Sequence, residues 1–195
     1  ARGQEAPMSF SQPSPRGCHL LADLVGSGYA EHIISLDLLN SGLDDAGLRL
    51  LSSALVGNAP FLQFLGLNGN PISGAGICDF AELLTQRRHH LMLPLLRWLH
   101  AAVDMGDAGA LSLAAALHRG ALASLELIWC YADVDLHDPS LGAVELAIVC
   151  ARRGVDLEIG MGNEAVAGFD MFDDLQPEVR EAAYQAWEDA EFGLD

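Results

Sequence analysis

The sequence predicts an α/β array in which short parallel strands alternate with helices, closed by a C-terminal extension that carries one more helix. Two observations point to that class. A glycine recurs at positions 17, 47, 76, 109 and 142, spaced by 30, 29, 33 and 33 residues, each time with apolar residues at +4, +7 and +8. Ahead of most of these helical patterns lies a short alternation of leucines with other residues. A third observation sets the limit of the array: after residue 163 the pattern stops. The chain therefore divides into an irregular segment 1–16, an array 17–163 and an acidic extension 164–195.

The elements follow in order. "RGCHLLADLV" places Leu21, Leu24 and Val25 on one face of a first helix, because residues at i, i+3 and i+4 stack on one side. "IISLDLLNSGL" offers Ile33, Leu36, Leu38 and then Leu43; Leu-x-Leu points both leucines to one side of a strand. "AGLRLLSSAL" repeats the helical stripe with Leu51, Ala54 and Leu55. "LQFLGLNGNPI" repeats the strand with Leu62, Leu65, Leu67, Asn70 and Ile72, and "GNPISGAGICDFAELL" the helix with Phe80, Leu83 and Leu84. The strand at 95–101 reads two ways: either Leu95, Trp98 and His100 point inward, or Leu96, Leu99 and Ala101 do. A one-residue slip exchanges the faces. The second register is preferred because it does not bury His100 without a partner.

"AGALSLAAAL" gives a fourth helix with Leu113, Ala116 and Leu117. "LASLELIWC" is read as a strand with Leu122, Leu125, Leu127 and Cys130 inward, which puts Glu126 and Ile128 on the other side. "LGAVELAIVC" gives Leu146, Val149 and Cys150, and "VDLEIG" a last, weaker strand with Leu157 and Ile159. "QRRHHLMLP" and "ADVDLH" are loops longer than the repeat requires. In the extension, Pro177 and Glu178 suit the start of a helix running to about residue 191. Val179, Ala183, Ala186 and Trp187 form its stripe. A cap on the array is its expected use, and a detachable docking helix the alternative.

The motifs "LQFLGLNGNPISGAGICDFAELL" and "MGDAGALSLAAAL" resemble the leucine-rich repeat family in its longer, ribonuclease-inhibitor-like subtype, over about residues 17 to 160. The resemblance implies a curved solenoid with strands on the concave side and helices outside, and a role in binding other proteins. One strand and one helix cannot bury both apolar faces alone, so neighbouring units must stack. Asn70 is expected to bond backbone groups where its strand turns away. The equivalent places read Ser41, a slot near Val103 or Asp104, and Cys130, so an asparagine ladder is not preserved.

Composition narrows the function. Net charge is −17; residues 156–195 hold 12 acids and one Arg, residues 1–155 hold 15 acids and nine Arg. A surface this acidic repels phosphates, which argues against nucleic acid; it would attract a protein partner with a basic surface, or serve only to keep the chain and its tail solvated. All ten basic residues are Arg. That excludes a Schiff-base lysine, a P-loop lysine and a lysine general base. The cysteines Cys18, Cys78, Cys130 and Cys150 are separated by 60, 52 and 20 residues with no CxxC pair, as in a reducing intracellular compartment. "LMLPLLRWL" is cut by Pro94 and Arg97, so no membrane span is expected. The chain begins at Ala1, from which organellar import followed by cleavage is one expectation.

No cofactor and no catalytic constellation is expected. Asp133, Asp135, His137 and Asp138 alternate like Ca²⁺ ligands, but Asp138 and Val144 stand where an EF-hand needs Gly and Glu. "RRHH", Arg87 to His90, reads as a polar helix end before a contact site. Cys18 and His19 are neighbours on a helix and cannot face each other as a dyad. The candidate site is the concave face, where Asp37, Leu39, Phe64, Asn68, Trp98, His100, Glu126 and Ile128 are expected to stand between the inward leucines. Aromatic residues at such a surface suit a contact hot spot, and cover of the stripe by the chain's own C-terminal helix is the alternative. The expectation is a non-catalytic interaction module or scaffold within a hetero-complex. A fixed structural subunit is the second reading, and a metal-dependent regulator or small enzyme the third.

Overall fold

The structure, a computed structural model, describes residues 8–9, 15–29, 31–55, 57–86, 93–101, 103–131 and 141–160. Strands and helices alternate through it: β1 (Met8–Ser9), α1 (Pro15–Leu24), β2 (Ser35–Asp37), α2 (Asp45–Leu55), β3 (Phe64–Gly66), α3 (Gly74–Thr85), β4 (Trp98–Ala101), α4 (Gly106–His118), β5 (Leu127–Tyr131), α5 (Leu141–Arg153) and β6 (Asp156–Gly160). The six strands form one sheet in the order β1-β2-β3-β4-β5-β6, and every neighbouring pair is parallel. Parallel neighbours need a crossover, and here each crossover contains one helix. The helices pack each on the next, α1 to α5.

One ladder of side chains runs through the sheet. Leu36 pairs with Leu65, Leu65 with Leu99, Leu99 with Ile128 and Ile128 with Leu157. The first four are sealed from solvent and Leu157 packs against them partly exposed. A second buried row is Leu38, Leu67, Ala101 and Cys130. Each fully buried leucine is worth about 1.5–3 kcal/mol relative to exposure, so these rows and the helical stripes behind them are the main stabilising term. The +4 and +8 residues are buried in all five helices, from Leu21 and Val25 to Leu146 and Cys150. At +7 the burial is complete only in the last two; Leu24 is exposed, and Ala54 and Leu83 are partly so.

The structure decides the open register at 95–101 in favour of Leu96, Leu99 and Ala101 inward. It corrects the next strand. Ile128 does not stand on the open face: it is fully buried, with Cys130, while Leu127 and Trp129 take the outward positions. Leu125 is buried as well, but it precedes the strand and occupies the place of Ile33, Leu62 and Leu96 three residues before the ladder position. The segment 1–16, expected to be irregular, contributes β1 as an edge strand on β2 and the start of α1. The extension 164–195 and its helix near 177–191 lie outside the described residues, as do residues 87–92 of the long loop at 86–94 and all of the loop at 132–137.

The recurring glycines acquire a reason. A Cβ on Gly142 would meet the Asp107 carbonyl and side chain of α4; on Gly109 it would lie 3.2 Å from Gly74 Cα and Ile77 Cβ of α3; on Gly76 it would meet the Asp45 carboxylate of α2. At each of these three sites a helix is seated on the first turn of the one before it; at Gly142 the obstacle is backbone and only hydrogen leaves room, at Gly109 the fit is tight, and at Gly76 the Asp45 side chain would have to move. Acids in that turn reach forward to the next helix. Asp45 accepts from Ser73 N and Ser73 Oγ, each at 2.7 Å, and Asp107 accepts from Gly142 N.

Candidate functional site

The sheet face turned away from the buried ladder carries two rows of side chains. Strand pairing aligns Ser35, Phe64, Trp98, Leu127 and Asp156 in one row, and Asp37, Gly66, His100, Trp129 and Glu158 in the next. Side chains alternate along a strand, so burial of the leucine ladder forces these residues outward. Phe64, Trp98, His100, Leu127 and Trp129 are all half-buried at neighbouring positions at the centre, and Asp156 and Glu158 are exposed at one end.

The rings are in contact. Phe64 and His100 meet edge-to-face with centroids 4.8 Å apart, and His100 meets Trp129 in the same way at 5.2 Å. Such pairs add to plain burial because a ring's positive edge meets a negative face. Gly66 makes the arrangement possible: a Cβ there would fall 2.7 Å from Asp37 Oδ1 and 3.1 Å from Phe64 Cε1. The Arg97 guanidinium lies 4.7 Å from the centre of the Trp98 ring, and its Nη2 stands 2.7 Å from Glu126 Oε1.

His100 sits between charges. Burial among the rings lowers its pKa from the ordinary histidine value, and the carboxylates of Asp37 and Glu158 pull it back up by a smaller amount. The neutral imidazole is thus favoured in the fold relative to the unfolded chain. Stability from this site is complete above the ordinary value near 6.5 and is lost as pH falls through the lower, folded-state value. NMR titration of His100 is expected to show a pKa below 6.5, and Asp37→Asn is expected to lower it further by removing a stabilising negative charge. A rise on Asp37→Asn would contradict this account.

Of the residues expected on this face, Phe64, Trp98 and His100 come together at its centre and Asp37 stands at one end of the row. Leu39, about half exposed, and Asn68, half-buried, lie just beyond the strand ends. Glu126 precedes β5 and stands at the opposite edge in its pair with Arg97. Ile128 is absent from the face. Leu127, Trp129, Arg97 and Glu158 belong to it and were not anticipated. The signal was present: Ile33, Leu62, Leu96 and Leu125 each stand three residues before a ladder position and five before a second buried one. That Leu-x-x-Leu-x-Leu spacing, applied at Leu125, selects Ile128 and Cys130 and exposes Trp129.

Two of the three described thiols are held in the protonated form by burial. Cys130 and Cys150 are buried and their pKa values are pushed up to about 12, mainly by burial. Cys78, half-buried, donates to the Ala108 carbonyl and accepts from Ser112 Oγ. Among the described residues no group of three or more His, Cys, Asp or Glu is placed to hold a metal ion, and no helix is long and apolar enough to cross a membrane. The acidic loop at 133–138 and Arg87 to His90 lie outside the described residues. No protein-family model matches the chain, and no curated protein matches it either.

Proposed function

We propose that this chain is a short leucine-rich-repeat solenoid that binds another protein through the open face of its sheet and performs no catalysis of its own. The observation that carries the reading is the cluster of Phe64, Trp98, His100 and Trp129 on one side of the sheet. A sheet of sequential parallel strands with stacked helices supports the repeat assignment. Large, stiff aromatic side chains on a firm backbone lose little entropy on contact, which is why they dominate interface energetics. The partner belongs with this chain in a hetero-complex.

The double substitution Phe64→Glu with Trp98→Glu tests it. Both side chains face away from the buried ladder, so circular dichroism is expected to stay native, with the unfolding midpoint lowered by loss of the Phe64–His100 and Arg97–Trp98 contacts. Capture of partner proteins from native extract, read by mass spectrometry, is expected to be abolished. Undiminished capture by a folded double variant would remove the open face from the account.

A further inference from the structure

We propose that the occupant of the open face is an extended segment of another protein with two cationic side chains six residues apart and apolar side chains between them. This rests on the docking reading above and adds the chemistry of the ligand. The face is apolar at its centre and acidic at both ends: Asp37 on β2, then the Phe64–His100–Trp129 cluster, then Glu158 and Asp156 on β6. Its one arginine among the described residues, Arg97, is already engaged by Glu126 and by the Trp98 ring. Both end carboxylates stand in the same row as the central imidazole, two strands to either side of it. An occupant that covers the rings must desolvate those acids or supply cations to them, and the second course costs far less.

The geometry sets the spacing. Asp37 and Glu158 stand on strands four neighbours apart, a span of about 19 Å at ~4.8 Å per strand. An extended peptide rising about 3.3 Å per residue crosses that span in about six residues. Side chains of such a peptide point to the same side every second residue, so cations at i and i+6 face the sheet together with residues i+2 and i+4. Those two middle positions fall over the aromatic cluster and are apolar. A second copy of this chain is a poor occupant, since it would set acid against acid at a net charge of −17. Residues 161–195, with ten acids and one Arg, are equally mismatched.

The test is a random dodecapeptide display library panned on the full chain, with the folded Phe64→Glu, Trp98→Glu variant used to remove peptides that bind elsewhere. Enriched peptides are then synthesised and titrated by calorimetry against the wild type and against Asp37→Asn with Glu158→Gln. The expected result is enrichment of Arg or Lys pairs at i and i+6 with apolar residues at i+2 and i+4. Their affinity is expected to fall at least tenfold in the neutralised variant and to weaken with added salt. Peptides that need Phe64 and Trp98 but are neutral or acidic, or that ignore the Asp37 and Glu158 substitutions, would overturn the charge rule and leave the docking face standing. A selection yielding no peptide dependent on Phe64 and Trp98 would overturn the docking face itself.

Discussion

Asn70→Leu is expected to lower the unfolding free energy by about 3–5 kcal/mol, since each buried backbone group left unpaired costs about 1–3 kcal/mol. The Asn70 side chain is almost wholly buried and joins two successive turns. Its Oδ1 accepts from Ser41 N at 3.0 Å, Leu43 N at 3.0 Å and Ser41 Oγ at 3.1 Å. Its Nδ2 donates to Leu38 O at 2.8 Å and Leu67 O at 2.7 Å. Leucine fills a similar volume and replaces none of these bonds. Urea denaturation measures the loss. Asn70→Asp retains the acceptor but sets a carboxylate against two carbonyl oxygens, so its cost is expected to shrink as pH falls and the acid protonates. Ser41→Ala, which removes one of the six side-chain hydrogen bonds of Asn70, is expected to cost only about 1 kcal/mol. Equal effects of Ser41→Ala and Asn70→Leu would show that the turns are held by something else.

Gly142→Val is expected to be the most disruptive of the glycine substitutions, at about 3 kcal/mol or more, the upper range for an overfilled core. The added atoms would collide with the Asp107 carbonyl, which belongs to the backbone of α4 and cannot swing aside. They would also push the Gly142 amide away from the Asp107 carboxylate. Gly76→Ala is expected to cost less, because its nearest obstacle is the Asp45 side chain, which can rotate at the loss of its bonds to Ser73. Gly26→Ala, with nothing within 4 Å, is expected to fall within about 0.5 kcal/mol of wild type, as surface changes usually do. Thermal unfolding of the three variants tests the order; a Gly142 variant as stable as the Gly26 one would remove the close helix approach.

Most of the alternation was legible because its signal is local. A stripe at +4 and +8 can be read off a single helix, and Leu-x-Leu off a single strand. The candidate site was legible where that signal was unambiguous: Phe64 follows from Leu65, and Trp98 and His100 from the preference against burying an imidazole. It failed at β5. There Leu125 and Leu127 imitate the Leu-x-Leu spacing three residues too early, and Ile128 was moved to the wrong face at the cost of Leu127 and Trp129. Asn70 was identified as a turn residue, but its bonds to Ser41, Leu43 and Leu38, some 30 residues earlier, required the neighbouring turn in place.

The order of elements and the apolar stripes were set by residue spacing along one chain segment, because hydrophobic periodicity reports which side of a helix or strand avoids water. The glycine at each helix start was visible as a pattern without a cause. At Gly76, Gly109 and Gly142 the cause is the approach of the preceding helix, a contact between residues more than 30 apart that no periodicity encodes. The same holds for the aromatic cluster. Phe64, His100 and Trp129 come from three strands, and only the pairing of Leu65 with Leu99 and of Leu99 with Ile128 carries their rings into contact.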